Sequence, residues 1–332
     1  MPPWLAQPEA GGQPSPWAND RSLSAESKKT LLAWLDSKDR PEGNAGDAPK
    51  PIQWLSDWSL GQPDVVFGFP QPVAVKAEAT MGYRNIEIPT NFTEDRWITA
   101  AQVLPGAREV VHHVGVFIAK NGAMGGGDGL NYLALYVPGT SVEEFPAGMA
   151  KKVPAGAVLR FQMHYTPNGR ATTDSTRLGL YFAKEPPQWE VRNAAAGNSK
   201  IDIPPGEPNY ELSGEVSLPP NVLILGFFPH MHLRGKAFRF DLVQADGTTR
   251  PILNVPRYDF NWQLTYDLAT PMPSGRGLRI KATGWFDNSA ANKANPDPSK
   301  NVHFGEQTTD EMMGGVVKYA VPIPRPAQTA SR

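Results

Sequence analysis

The residues best suited to chemistry in this chain are histidines and one methionine. Five of the six histidines fall into three short clusters. The clusters and the methionine are His112-His113 in VVHHVGVF, His164 in RFQMHYTP, His230-Met231-His232 in FFPHMHLRGKAF, and Met312 in GEQTTDEMMGG. They offer two three-ligand sets, one of imidazoles alone and one of two imidazoles with a thioether. A thioether favours Cu(I), whereas imidazole suits copper, zinc, iron or nickel. Together the two sets predict a two-copper redox protein.

The spacing of His230 and His232 predicts that both imidazoles lie on one face of a strand, close enough to chelate one ion. An isolated pair with this spacing is common, so it is weak support by itself. The neighbouring Pro229 and Gly235 indicate a strand end, where that face opens to solvent. His164 lies on the polar face of another predicted strand, which suits a ligand better than a core residue.

The adjacent pair His112-His113 leaves two interpretations open. Neighbouring strand residues point to opposite faces, so both bind one ion only if a bulge or a strand end turns the chain there. In the other interpretation one histidine is a ligand and the other is buried and bonded to the backbone.

The pair Met312-Met313 follows Asp310-Glu311 and is also open to two interpretations. Methionine is normally a core residue, and only one of two neighbouring strand residues can face a site. The sixth histidine, His303, has no clustered partner, and we expect it to be structural or exposed to solvent.

Composition narrows the possible partners. The formal net charge is -1, from 32 Lys and Arg against 33 Asp and Glu. This balance indicates neither a nucleic acid nor a membrane as partner. Cysteine is absent, so there is no disulfide and no thiolate nucleophile. No signal peptide is visible at the first residues, and the longest apolar run, Val222 to Pro229, is too short to span a bilayer.

The hydrophobic pattern predicts an all-β fold of two tandem jelly-roll β-sandwiches with a short helical N-terminal segment. Ser24 is a candidate cap for a helix running to about Ser37, and a Pro- and Gly-rich linker follows from Arg40 to Pro51. Beyond about Val65 many short segments alternate with period two, such as Leu159, Phe161, Met163 and Tyr165, and turn signals separate them. The stretch from 183 to 198 resembles a joint between two sandwiches. The predicted units are 1–64, 65–187, 188–321 and a tail at 322–332.

In this order the four motifs resemble the copper type II, ascorbate-dependent monooxygenases, which include the peptidylglycine α-hydroxylating and dopamine β-monooxygenases. The resemblance covers about residues 65 to 321, and a bacterial branch is the best match. It implies that His112, His113 and His164 hold an electron-transfer copper. It also implies that His230, His232 and Met312 form the catalytic set, holding the copper that binds dioxygen. The ligand directly follows the Asp-Glu pair in that family, which selects Met312 over Met313.

The resemblance also implies a fold and a reaction. The fold is two jelly rolls facing each other across a solvent-filled cleft, with one copper on each. The reaction inserts one oxygen atom from O2 into a C–H bond of a small organic substrate, with ascorbate or another one-electron reductant. A periplasmic or secreted location is expected if an upstream signal exists.

Three positions depart from the peptide-amidating branch of that family. There, a basic residue before the HxH motif and an Asn and a Tyr after the Met hold the substrate carboxylate. Here the corresponding residues are Phe228, Gly314 and Val316. A glycine-extended peptide is therefore not expected as substrate, and Phe227, Phe228 and Met313 indicate a more apolar pocket.

The first residues, MPPWLAQP and the segment NDRSLSAESKKTLLAWLD, are similar to the end of a c-type cytochrome domain. In such domains a Met like Met1 is an axial haem ligand. The haem attachment motif CxxCH is absent, so no haem is predicted for this chain. A cytochrome c-type electron donor is a possible partner.

Three other functions fit part of the pattern. A non-catalytic copper-binding protein would use the same ligands without O2 consumption. A zinc-dependent hydrolase could use His112, His113 and His164 with an open water position, but this leaves Met312 unexplained. A paired jelly-roll glycan-binding module could use some of the nine Trp as platforms.

Overall fold

The structure is a computed structural model that describes residues 4–8, 13–40, 42–47, 58–78, 81–120, 123–124, 132–137 and 140–324. Met1, part of the predicted linker and the tail from 325 lie outside these residues, so what the sequence predicts for them stays a prediction.

The N-terminal segment contains one α-helix in the described residues, α1 at Ala25–Asp36. The Ser24 side chain accepts a hydrogen bond from the Ser27 backbone N–H and caps the helix, as expected for a Ser at this position. No side chain of α1 is buried. A 3₁₀ turn follows at Ala45–Asp47. Within the described residues no helix has the length and apolar character needed to cross a membrane.

The first sandwich has two main sheets and a separate two-stranded sheet. In chain order its strands are β1 Val65–Gly68, β2 Val73–Val75, β3 Arg84–Pro89, β4 Arg96–Leu104, β5 Val111–Lys120, β6 Ala123–Met124, β7 Tyr132–Tyr136, β8 Val142–Glu144, β9 Met149–Val153, β10 Val158–Tyr165, β11 Thr172–Asp174 and β12 Arg177–Phe182. One sheet has the order β1-β12-β4, with β8 and β9 both pairing with β4. The other has the order β3-β10-β5, with β6 and β7 both pairing with β5. The separate sheet pairs β2 with β11.

The second sandwich repeats this arrangement. Its strands are β13 Trp189–Ala195, β14 Asp202–Ile203, β15 Tyr210–Ser217, β16 Leu223–His230, β17 Gly235–Val243, β18 Thr249–Val255, β19 Tyr266–Pro273, β20 Arg279–Phe286, β21 Val302–His303 and β22 Gly314–Pro322. The two main sheets have the orders β13-β22-β16-β19 and β15-β20-β17-β18. In both sandwiches the chain alternates between facing sheets in the manner of a jelly roll. The predicted all-β fold of two jelly rolls with a short N-terminal helix is confirmed.

Each sandwich has its own hydrophobic core. The alternation predicted for β10 is present, with Leu159, Phe161, Met163 and Tyr165 buried in the first core. In the second core Phe238, Phe240 and Leu242 of β17 are buried in the same way. Because successive strand residues point to opposite faces, the intervening polar residues lie on the other face of each sheet.

The two sandwiches share a continuous sheet. Strand β13, which lies inside the predicted joint, pairs in parallel with β9 of the first sandwich and antiparallel with β22 of the second. Lys318 of β22 forms a buried ion pair of 2.5 Å with Glu143 of β8. This join fixes one sandwich against the other, whereas the exact domain boundaries stay a prediction.

The N-terminal segment packs on the second sandwich. Ala6 and Trp17 are part of its hydrophobic core. Trp17 forms an isolated antiparallel bridge with Leu268 of β19, and the Asn19 side-chain amide donates to the Thr265 carbonyl at 2.9 Å. The described residues before α1 therefore include parts of the second sandwich's core and of its edge.

Candidate metal centres

A β-bulge places both adjacent histidines at one site. Strand β5 pairs with β10 so that His113 is opposite His164, and the next pair is Val111 with Tyr165. His112 is left without a partner, which is the extra residue of a bulge. The bulge that both rings need in order to face one ion is thus present.

The three rings of this first set converge. Nδ1 of His112 lies 3.1 Å from Nδ1 of His113, and one ligand atom from each of the three residues fits within a 4.8 Å span. Nδ1 of His164 is buried and has no hydrogen-bond partner in the described part of the chain. Unpaired, buried ring nitrogens are costly, and a metal ion with three imidazole ligands would satisfy them.

The second set begins where β16 ends. His230 is the last residue of the strand, and His232 follows it with its ring centroid 5.3 Å away. Between them Met231 is fully buried in the core. The Tyr258 hydroxyl accepts from the Met231 N–H at 3.0 Å and donates to its carbonyl at 2.8 Å. These two hydrogen bonds hold Met231 in the core, so His230 and His232 on either side of it face the site.

Hydrogen bonds set the tautomer of both rings in the second set. Nδ1 of His230 donates to Oε1 of Gln263 at 2.7 Å. The Gln263 amide nitrogen donates to the Phe260 carbonyl, which supports this orientation of the amide. Nδ1 of His232 donates to the Asp310 carbonyl at 3.3 Å. Each ring therefore keeps its Nε2 lone pair free for a metal, and Nε2 of His232 is buried without a hydrogen-bond partner among the described residues.

Glu311 ties the two chain segments of the second set together. Its carboxylate accepts from the backbone N–H groups of His232 at 2.9 Å and Arg234 at 2.7 Å. It also accepts from the Met312 N–H at 3.3 Å. Burial raises the pKa of Glu311 to about 8, although these donors act in the opposite direction. The carboxylate thus positions the histidine segment relative to Met312.

The two neighbouring methionines lie in different environments. Met313 is buried in the second core. Met312 is partly exposed and lines the same cavity as His230 and Gln263. Of the two, Met312 is the one that lies beside His230 at this cavity.

The two sets meet at a common interface. Phe260, from the second sandwich, stacks on His112 of the first with ring centroids 5.0 Å apart and planes at 13°. It also lies 6.2 Å from the His232 ring. His113, His230 and Met312 all line one cavity. The resemblance implied a solvent-filled cleft between the two sets; in the structure Phe260 of the second sandwich lies between His112 and His232.

All five clustered histidines favour the neutral imidazole. Burial lowers the pKa of His164 to about 4 and that of His232 to about 3. The pKa values of His112 and His230 are lowered by burial too. His113 has a pKa well below its usual value because of burial and the other histidines nearby. Neutral imidazole is the form that binds a metal.

A groove of about 580 Å³ opens beside the first set and is lined by His112, His164, Phe260 and Asn261, among others. Tyr83 packs on the opposite side of the set, 5.0 Å from the His164 ring. The first set is thus accessible from outside, although its rings are packed between aromatic side chains.

Several residues of these centres were not predicted from the sequence. Phe260, Gln263, Tyr83 and Tyr258 carry no motif of their own. Glu311 had a signal, because it directly precedes Met312, but its contacts were not foreseen. His303 is exposed, 3.6 Å from Asp202, in agreement with its lack of a clustered partner.

The apolar pocket expected around Phe227, Phe228 and Met313 is only partly correct. Phe227 and Met313 are core residues, because they alternate with the residues that face the site. Phe228 does line the cavity next to His230.

Comparisons with known proteins add little to this geometry. No protein-family model matches the chain. No curated protein matches it. Among solved structures, the major capsid protein P2 of bacteriophage PM2 is similar at 10% identity and a TM-score of 0.35, covering 79% of this chain and 99% of that one. The tandem CBM22-1-CBM22-2 domain of Paenibacillus barcinonensis Xyn10C is similar at 9% identity and a TM-score of 0.19, covering 76% and 92%. Scores this low carry no argument about function.

Proposed function

We propose that this chain is a copper-dependent monooxygenase that hydroxylates a C–H bond of a small organic molecule. The observation that carries the proposal is the pairing of two unlike ligand sets at one interface. One set is His112, His113 and His164, and the other is His230, His232 and Met312. A hydrolase or a binding module has no need of a second set containing a thioether.

The first set suits a copper that passes electrons. Its three imidazoles bind either oxidation state of copper, and the groove beside His112 and His164 gives a reductant access. Ascorbate or another one-electron donor would deliver electrons here. A cytochrome c-type protein is an alternative donor.

The second set suits a copper that must wait in the reduced state for O2. The soft thioether of Met312 favours Cu(I), and the two imidazoles are oriented in advance by Gln263 and the Asp310 carbonyl. When bound, copper would supply the activation of O2 at this set. The chain's own residues hold the ligand nitrogens in place and keep bulk water away.

The reaction balances with two electrons from the reductant. One atom of O2 enters the substrate C–H bond to give an alcohol, and the other leaves as water with two protons. Phe260 packs between the sets, so the electron from the first set has only a short path through the protein. The tight interface favours transfer without a large movement of the sandwiches.

The residues around the second set argue against a carboxylate-bearing peptide as substrate. Phe228 stands where the amidating branch has a basic residue, and it lines the cavity beside His230. Among the described lining residues of that cavity there is no Lys or Arg. An ionised carboxylate entering it would lose its hydration without a cation to replace it.

The test is oxygen incorporation from ¹⁸O2 by the copper-loaded chain with ascorbate and a panel of small neutral organic molecules. We expect a labelled hydroxyl in at least one product. Met312→Leu should lower this activity at least tenfold, because it removes the sulfur and keeps the volume, whereas Met313→Leu should have little effect. No label in any product with both copper sites filled would indicate a non-catalytic copper protein. Zinc in the purified protein together with ester hydrolysis would indicate a hydrolase.

A further inference from the structure

A small apolar cluster lies at the interface, separate from both main cores. It contains Tyr132, Phe228 and Val316, with Phe117 and Leu135 packed against it. Phe117, Tyr132 and Leu135 belong to β5 and β7 of the first sandwich, whereas Phe228 and Val316 belong to β16 and β22 of the second. Neither sandwich alone forms this cluster.

The cluster is one wall of the cavity that reaches the second metal set. The cavity has a volume of about 90 Å³ and is lined by Phe117, Tyr132, Leu135 and Phe228 on the apolar side. His113, His230, Gln263 and Met312 line its other side. A molecule in this space lies next to the proposed catalytic ligands.

The size of the cavity limits what can enter. At about 10 to 15 Å³ of cavity space for each water-sized group, 90 Å³ holds about six to nine such groups, which matches a short alkyl chain that carries one polar group. Gly115 contributes to this shape, because a Cβ atom there would lie 2.7 Å from Cε2 of Phe117. Without that atom the Phe117 ring closes over the glycine and narrows the space.

The chemistry of the lining limits the ligand further. Among the described residues the lining contains no Asp, Glu, Lys or Arg. Gln263 is engaged with His230, whereas Gln162 contributes a second neutral amide to the lining. An amide recognises one neutral polar group, and burying an unpaired ion in such a place is unfavourable.

We infer that this cavity binds a small uncharged molecule, whose short alkyl end packs against Phe117, Leu135 and Phe228 and whose single neutral polar group faces Gln162. Its use as the substrate pocket rests on the proposed function; the binding itself does not. The inference assigns the chemical class of the substrate as short-chain neutral amides, alcohols or ketones, and it makes Phe117 the residue that sets chain length.

The test uses three probes with one carbon chain and different charge, namely butyramide, butyrate and butylammonium. Saturation-transfer NMR on the metal-free full chain measures their binding. We expect transfer to butyramide, strongest at its methyl end, and at least tenfold weaker binding of both ions. Equal binding of the three probes, or no binding of butyramide at tens of millimolar, overturns the inference.

Phe117→Ala locates the site through a gain of binding. Removing the ring lengthens the cavity, so hexanamide should gain about tenfold over butyramide from two more buried methylene groups. Phe182→Ala, which removes a partly buried ring elsewhere in the first sandwich, is the matched control and should leave the ratio unchanged. An unchanged ratio in folded Phe117→Ala overturns the assignment. If Phe117→Ala does not fold, the inference is tested by the binding of butyramide, butyrate and butylammonium to the wild-type chain.

The outcome separates this inference from the proposed function. A chain that oxygenates other molecules but does not bind butyramide contradicts the pocket alone. A chain that binds butyramide with the expected response to Phe117→Ala but takes up no copper contradicts the proposed function alone.

Discussion

The two histidine sets differ in how the protein holds their rings. In the second set, His230 and His232 each donate Nδ1–H to a fixed acceptor, and Glu311 binds the backbone around them. In the first set, His112 Nε2 and His164 Nδ1 are buried without a hydrogen-bond partner among the described residues. Its rings are held by packing against Tyr83 and Phe260 and by the contact of 3.1 Å between Nδ1 of His112 and Nδ1 of His113.

This difference matches the different tasks that we propose for the two sets. A centre that activates O2 benefits from ligands held in one geometry before the metal arrives. A centre that only passes electrons needs access and proximity, and its metal can complete the orientation of the rings. The variants below test this comparison, from the largest expected effect to the smallest.

Glu311→Gln should have the largest effect and should act on the second set. The substitution removes one acceptor oxygen from a buried carboxylate that serves three backbone donors. Changes to such groups behind metal ligands typically lower metal affinity 10- to 100-fold. Chelator competition in a His112→Ala/His113→Ala background measures this. Glu306→Gln, at an exposed position, is the control, and an equal loss in both variants would contradict the role of Glu311.

The pH dependence of stability should reveal both sets in the metal-free protein. Because the pKa values of His164 and His232 are lowered to about 4 and about 3, the unfolded chain takes up protons below pH 6.5 before the folded chain does. The free energy of unfolding therefore decreases as the pH is lowered, by about 2 kcal/mol per histidine between pH 7.5 and pH 5. Urea unfolding at pH 7.5 and pH 5 should show a smaller loss for His164→Gln and for His232→Gln than for the wild type. An equal loss of unfolding free energy in the wild type and in both variants would show that these rings are not shielded from protons.

Gln263→Leu should lower copper affinity at the second set about tenfold, because it removes the acceptor that orients His230. The first set should be unaffected. Gln244→Leu, at an exposed position, controls for the change in polarity. Loss of affinity at the first set instead would mean that Gln263 acts through the interface and not through His230.

Phe260→Leu should have the smallest effect, a few-fold loss of copper affinity at the first set. The ring belongs to the second sandwich but stacks on His112, so the result tests whether packing across the interface orients the first set. Phe304→Leu, on an exposed side chain, is the matched control. An effect confined to the second set would contradict the account of how the first set is held.

Local patterns explain how much of this could be predicted from the sequence. The alternation in β10 and the cap at Ser24 depend on near neighbours in the chain, and both were predicted. The bulge at His112 could be stated only as a condition, because a sequence of two histidines does not say which backbone conformation it adopts. The helix α1 was predicted from this cap, yet none of its residues is buried, so the pattern did not show how the helix lies on the fold.

The contacts that support the metal centres join residues far apart in the chain, so local patterns did not predict them. Glu311 bonds to His232 across 79 positions, and Gln263 to His230 across 33. The meeting of the two sets through Phe260 follows from the way β13 joins both sandwiches in one sheet. Trp17 lies in the predicted N-terminal unit 1–64, whereas its burial in the second core follows from its pairing with Leu268.

The most direct test of the central claim is the copper content of the purified chain after loading with Cu(II) and desalting. The account predicts two coppers per chain, and one in both His230→Ala/His232→Ala and His112→Ala/His113→Ala. Zinc in place of copper, or one copper in the wild-type chain and none in either double variant, would contradict the assignment of two separate copper centres.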